Sequence, residues 1–191
     1  MIPVTDTGGD CLSTVQEDGS NNGKNTVNVQ QDQRQQCQII REVKESDFES
    51  IMEIENTCFP GELAYSRPQM RFLLFKAKSV TLVEESGRQI TGYVTALFRK
   101  NSDIAGIETI GVAPSSRGKG TGKRLLRAVE DSMVHRGTRL ARLEVSAGNS
   151  EAIAMYRKAG YEVTETIPDY YIYNHNGTKN AFRMVKAINR Q

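Results

Sequence analysis

The sequence predicts an α/β (α+β) domain with a mixed, mostly antiparallel sheet of about seven strands flanked by helices. Two observations carry that prediction. Apolar runs and helical stripes follow the order β-α-α-β-β-β-α-β-α-β-β, so a run of consecutive strands precedes the first strand–helix–strand crossing. A glycine-rich, basic segment, Arg117-Gly118-Lys119-Gly120-Thr121-Gly122-Lys123, then joins the last strand of that run to an amphipathic helix. A doubly wound dinucleotide fold would alternate strand and helix from the start, and this chain does not.

Each element has a local cause. Residues 38–43 read as a short opening strand. Ser46, with Glu49 three residues on, predicts a capped helix start, and Phe48, Ile51, Met52 and Ile54 give that helix its apolar side. Cys58-Phe59-Pro60-Gly61 ends it. Ser66 caps a second helix with Pro68 in its first turn, and Met70, Leu73 and Leu74 recur at helical spacing. Residues 79–85 and 89–99 read as a hairpin around Ser86-Gly87-Arg88, and 104–112 as the next strand. Leu125, Leu126, Val129 and Met133 line one face of the helix after the glycine loop, with Gly137 at its C-terminal end. A strand at 138–146, a helix capped by Asn149 and ending at Gly160, and strands at 161–166 and 181–188 complete the domain, residues 38–191.

Residues 1–37 differ in kind. They are rich in Gln, Asn and Gly and poor in large apolar residues, too poor to offset the entropy of ordering them. A disordered tail is the expectation, with a partner-binding arm as the sharper alternative. Asp6, Asp10, Glu17, Asp18 and Asp32 outnumber Lys24 and Arg34 there, so the positive charge lies in the domain. The net charge of the whole is only +2, too small a field to argue for nucleic acid. No apolar run approaches the ~18 residues of a membrane span, and the N-terminus lacks the regions of a secretory signal. Cys11, Cys37 and Cys58 follow no disulfide or metal spacing, which points to a reducing, cytoplasmic setting and to no metal. Neither membrane nor nucleic acid is an expected partner, and the sequence leaves the oligomeric state open.

The glycine loop is an anion cradle by its chemistry. Glycines allow close backbone approach, and a helix start offers N–H groups and a partial positive charge. A nucleotide-triphosphate loop needs Ser or Thr after Gly-Lys, and here Arg124 follows Gly122-Lys123. A dinucleotide fingerprint starting at Gly118 needs a glycine where Lys123 stands. What remains is Arg117-x-x-Gly120-x-Gly122 after Ile110-Gly111-Val112-Ala113-Pro114.

That pattern resembles the acyl-CoA motif of the GNAT superfamily of N-acetyltransferases, and the resemblance extends over residues 39–188. It implies a GNAT fold with splayed central parallel strands, and acetyl-CoA as the acyl donor. Backbone N–H groups across Arg117, Gly118, Lys119, Gly120, Thr121, Gly122 and Lys123 would hold its pyrophosphate, with help from the Lys119, Lys123 and Arg124 charges. Ile110 and Val112 would present N–H groups to the thioester carbonyl and pair with the pantetheine arm.

The stretch Leu143-Glu144-Val145…Asn149…Ala152-Ile153…Tyr156…Gly160-Tyr161 looks like that of the RimI-type ribosomal-protein and N-terminal alanine acetyltransferases. The resemblance implies Glu144 as general base, Tyr156 as general acid and Asn149 as a cofactor contact. An incoming N-terminal amine has a reference pKa of ~8, so it must lose a proton before it attacks. Each residue has a plainer alternative: a solvated strand-end carboxylate, a core aromatic, an N-cap. Glu62, after Phe59-Pro60-Gly61, is a substrate-binding candidate or a second base candidate, and Glu108 on the central strand a third. Tyr170 and Tyr171, with Ala181 and Met184, resemble the tyrosine pair that lies over a peptide acceptor in these enzymes. The intervening 173–181 stretch is longer and less acidic than the family's. His175 within it reads as an exposed loop residue. A protein or peptide N-terminus is the leading acceptor. A small amine or lysine, or a catalytically weak acyl-CoA-binding regulatory module, are the alternatives.

Overall fold

The computed structural model describes residues 38–59 and 61–189. The polar segment 1–37, read above as a disordered tail, lies outside the described residues, as does Pro60. The strands are β1 (Gln38–Glu42), β2 (Ser79–Ser86), β3 (Gln89–Phe98), β4 (Ile104–Val112), β5 (Leu140–Ser146), β6 (Glu162–Ile167) and β7 (Ala181–Ala187). The helices are α1 (Phe48–Cys58), α2 (Arg67–Phe75), α3 (Thr121–His135) and α4 (Ser150–Lys158). The strands form one sheet in the order β1-β2-β3-β4-β5-β7-β6, antiparallel throughout except for the β4–β5 pair.

Helices cover both faces. Phe48, Ile51, Met52 and Ile54 of α1 and Met70, Leu73 and Leu74 of α2 pack with Val83 and Tyr93 on one side. Leu125, Leu126, Val129 and Met133 of α3 pack with Val80, Val94, Ile107, Ala141 and Leu143 on the other, joined by Ile153 and Tyr156 of α4. The i, i+3, i+4 stripes thus became the faces that bury apolar surface.

The start of α1 differs from the expectation. Ser46 and Glu49 do not form its cap. Arg41 of β1 grips Asp47 through two nitrogens at 2.7 and 2.9 Å, and the Lys44 N–H donates to the same carboxylate at 2.7 Å. This pair draws Glu45–Asp47 into a 3₁₀ turn ahead of the helix. Glu49 instead pairs with Arg67. Ser66 does cap α2 as predicted, in a capping box with Gln69 that the sequence reading had not named, and Asn149 caps α4 by accepting the Ala152 N–H at 3.1 Å.

The feature that makes a site is a parting of the two parallel strands. β4 pairs with β5 only from Ile104↔Leu140 to Ile107↔Leu143. The β3–β4 register slips between Thr95 and Ala96, where Thr95 faces Thr109 and Ala96 faces Ile107, which leaves Glu108 as a bulge residue. Beyond it β4 continues to Val112 and β5 to Ser146 with no ladder between them.

Candidate active site

A cleft of about 410 Å³ occupies this gap. Glu108 and Glu144 are the first residues past the last β4–β5 pair, one on each strand, and both line the cleft. Ile110, Asn149, Tyr156, Tyr170, Tyr171 and Glu62 line it too. Seven of the sequence-predicted site residues and Glu108 therefore converge on one cavity. Val112, the last residue of β4, and residues 117–123, which lead into α3, stand outside its lining.

Strand geometry explains why β4 can serve as one wall. The Ala113 N–H donates to the Thr91 carbonyl of the β3 side at 2.9 Å. N–H groups alternate along a strand, so those of Ile110 and Val112 point away from β3, toward the opening. At the strand's end the Val112 carbonyl accepts from Cys58 Sγ at 3.4 Å and from Arg117 Nε at 3.3 Å.

The glycine loop is built as an anion cradle. Gly118 and Gly120 have φ values of 72° and 83°, left-handed conformations that side-chain-bearing residues rarely adopt. Gly120 is the N-cap of α3 and makes no side-chain cap, so the first N–H groups of the helix keep their donor capacity. The first backbone bond of the helix is Arg124 N–H to the Gly120 carbonyl, at 3.0 Å. Donors without a cap at a helix start suit a pyrophosphate. Of two side chains committed elsewhere, only that of Arg124 differs from expectation. Thr121 is buried and its hydroxyl donates to Glu84 at 2.8 Å, leaving only its backbone to the loop. Arg124 is committed to Glu84 as well, at 2.8 and 2.9 Å, and is not a free phosphate ligand.

On the β5 side Glu144 is 16% exposed, and its Oε1 accepts from Arg183 Nε at 2.8 Å, with Arg142 at 3.4 Å. Arg183 sits directly across the β5–β7 ladder from Glu144 and also pairs with Glu165. On the β4 side Glu108 is exposed in the cleft and accepts the Tyr65 hydroxyl at 2.5 Å. Tyr156 is buried on α4, edge-on to Tyr161 with centroids 5.8 Å apart. Burial, with a smaller contribution from Tyr171, pushes the Tyr156 phenol well above its ordinary value and so holds it protonated. Burial likewise pushes the Tyr171 phenol up to about 12.

Several cleft residues escaped the sequence reading. Glu55 is fully buried beside the cleft, accepting the Tyr65 N–H at 2.9 Å and the Tyr93 hydroxyl. Burial pushes its carboxyl above the usual carboxylate value, against the two hydrogen bonds. A signal existed: Phe48, Ile51, Met52 and Glu55 follow i, i+3, i+4, i+7, so a carboxylate falls on the buried stripe. Tyr65 held no such signal. His175 is a correction. It is half-buried and lines the cleft between Tyr171 and Phe59, with ring centroids at 5.0 and 6.1 Å. Burial lowers the pKa of its imidazole. The loop is seated there because the His175 carbonyl accepts Ser146 Oγ at 2.6 Å and Asn176 packs against Gly148.

A sheet whose central parallel strands part beside a glycine-rich helix start is the GNAT fold. The chain belongs to the Acetyltransferase (GNAT) family, whose model matches residues 48–161. Among curated relatives, the N-alpha-acetyltransferase RimI of Mycobacterium tuberculosis is 30% identical over 128 residues, 66% of this chain and 79% of that protein. A mycothiol acetyltransferase of Corynebacterium efficiens is 35% identical over 100 residues, and an uncharacterized Mycobacterium leprae protein 27% over 135. The matches span only 33% and 37% of the lengths of those two proteins. Among solved structures, the ribosomal-protein-S18-alanine N-acetyltransferase of Escherichia coli superposes with a TM-score of 0.71 at 21% identity, covering 81% of this chain and 96% of that one. Arabidopsis thaliana NAA60 in complex with acetyl-CoA gives a TM-score of 0.68 at 20% identity, covering 80% and 99%. These structural likenesses bear on the fold. Among the described residues no helix is long and apolar enough to cross a membrane.

Proposed function

We propose that the protein transfers an acetyl group from acetyl-CoA to the N-terminal α-amine of a protein or peptide, by direct attack while both are bound. The observation that carries this reading is the cleft in the β4–β5 gap, where carboxylates, a buried phenol and a tyrosine pair meet a strand with free N–H groups. Residues 117–123 would hold the pyrophosphate through backbone N–H groups, with Asn149 as a further contact. Acetyl-CoA supplies an activated thioester there.

The chain's own groups then have defined work. The N–H groups of Ile110 and Val112 face the gap and would hydrogen-bond the thioester carbonyl oxygen as negative charge builds on it. Tyr156, a phenol that is protonated at neutral pH and that burial keeps so, would donate its proton to the departing sulfur. The amine arrives as a cation and needs an acidic seat. Glu62, Glu55 and Glu108 give the β4 side that character, whereas Glu144 is flanked by Arg142 and Arg183. This balance favours Glu108, oriented by Tyr65, as the first acceptor of the amine proton. Glu144 remains the base that the RimI likeness implies. Tyr170 and Tyr171, edge-to-face at 4.9 Å, would lie along the peptide backbone, and Glu62 near its first residues. A cytoplasmic setting is part of this reading, in line with cysteines that show no disulfide spacing.

The test is CoA release with peptides beginning Ala, Ser or Met, alongside polyamines and free amino acids. Peptides should be the best acceptors. A preferred polyamine or other small amine would favour the second reading, for which the likeness to mycothiol acetyltransferases speaks. Acetyl-CoA binding with no acceptor turned over would leave a regulatory acyl-CoA-binding module.

A further inference from the structure

We propose that Glu84 is a positioning residue for acyl-CoA binding: through Arg124 and Thr121 it holds the start of α3 and the Lys119–Gly120 turn in their binding shape before the cofactor arrives. The inference rests on the acyl-CoA reading of that loop.

Glu84 lies on β2, distant in sequence from the loop and outside the cleft lining. Its side chain is 1% exposed, an uncommon place for a charge, and among the described residues its carboxylate oxygens accept from four donor atoms. Oε2 accepts Arg124 Nε at 2.8 Å, and Oε1 accepts Arg124 Nη2 at 2.9 Å, Thr121 Oγ1 at 2.8 Å and Thr91 Oγ1 at 3.0 Å. The two-pronged guanidinium contact fixes the plane of Arg124 as well as its distance. The same guanidinium reaches back with Nη1 to the Lys119 carbonyl at 2.8 Å. One buried carboxylate thus ties down Thr121 and Arg124 in the first turn of α3 and, through Arg124, the loop before it.

The backbone is shaped to permit this. Gly92 stands opposite Glu84 in the β2–β3 ladder. A Cβ on Gly92 would sit 2.8 Å from the Gly111 carbonyl and 3.0 Å from both Thr121 Cγ2 and Leu125 Cδ1. The bare glycine lets the helix start approach the sheet closely enough for the Thr121 hydroxyl to reach Glu84. The Lys119 carbonyl, turned toward Arg124, also fixes the plane of the peptide that bears the Gly120 N–H. A loop held in its bound shape spares the ordering cost on binding, which appears as affinity.

Calorimetric titration with acetyl-CoA, paired with steady-state kinetics, tests the clamp. Glu84→Gln keeps the shape and an acceptor but removes the charge that holds Arg124. It should raise the Kd and KM for acetyl-CoA by about tenfold, leave kcat at saturation within about twofold, and leave the peptide KM unchanged. Arg124→Gln should weaken binding similarly, and the double variant should be no weaker than either single one, because each breaks the same clamp. Thr121→Val, a milder change, should give a smaller loss of affinity and serves if the Glu84 variant does not fold. A lower melting temperature with an acetyl-CoA Kd within twofold of wild type would overturn the clamp and leave Glu84 as a fold residue. Loss of affinity in Arg124→Gln without loss in Glu84→Gln would also overturn it, assigning Arg124 to the phosphates directly. A wild-type protein that does not bind acetyl-CoA overturns the acyl-CoA reading itself, and the clamp with it.

Discussion

At the start of α3 the chain is fastened by a buried carboxylate and shaped by glycines in left-handed conformations. The cleft itself has, along the 170–173 stretch, rings and aliphatic groups that stay in water: Ile172 is 79% exposed, Tyr173 50% and Tyr170 47%. The clamp proposed above would hold the first region in shape without a ligand. The second has little to press against until something fills it. That contrast suits an enzyme whose donor is constant and whose acceptor is a chain end, since a pyrophosphate needs fixed N–H groups and a peptide needs surface.

The sharpest way to break the comparison lies between the two ends, where chemistry and binding should separate. Tyr156→Phe should lower kcat by about 100-fold while the acetyl-CoA Kd stays within twofold, read by steady-state turnover and calorimetry. Unchanged turnover would remove Tyr156 as the acid. The carboxylates come next. Glu108→Gln should cost about 100-fold in kcat/KM, and Glu144→Gln about tenfold, within the usual range for a general base and a secondary group. The reverse order would return the first proton transfer to Glu144, where the RimI likeness puts it.

A change confined to the acceptor end should then move acceptor binding alone. A Cβ on Gly148 would fall 2.0 Å from the Asn176 carbonyl oxygen, so Gly148→Ala must displace the loop that seats His175 and Tyr171. The peptide KM should rise by about tenfold, with acetyl-CoA affinity nearly unchanged. Equal damage to both substrates would mean that the two ends are not separable.

The smallest effect concerns acid stability. Burial pushes the Glu84 carboxyl up, but hydrogen bonds from Arg124, Thr121 and Thr91 outweigh it and hold it below the usual value. Asp47 is likewise lowered, by the Arg41 hydrogen bond above all. Their unfolded values are ~4, so the stabilisation is full above that pH and is lost as pH falls through the lower folded values. Urea midpoints should therefore drop below about pH 4, and Glu84→Gln should make that slope shallower by its share. A slope unchanged in that variant would show that Glu84 does not titrate with folding.

Much of the glycine loop and the start of α3 was legible because it is local. A strand, a turn, glycines and an apolar helix stripe lie consecutively, and their periodicities survive folding. The cleft walls and the contacts of Glu84 were less legible because they are assembled from distant pieces. Glu84 meets Arg124 across 40 residues, and Tyr65 meets Glu108 across 43. Nothing in a local pattern marks such pairs. His175 looked exposed because its neighbours are polar, yet Ser146 and Gly148, far back in the chain, seat the loop against the cleft. The start of α1 failed as a capping-box prediction for a nearer cause: Arg41, a few residues back on β1, claims Asp47.

The central claim is acetyl transfer to a chain end, and the position of the new amide tests it most directly. A peptide beginning with alanine and carrying one internal lysine would be incubated with acetyl-CoA and the protein, then fragmented in a mass spectrometer. The account predicts acetyl on the α-nitrogen with the lysine untouched. Acetyl on the lysine side chain with a free N-terminus would contradict it.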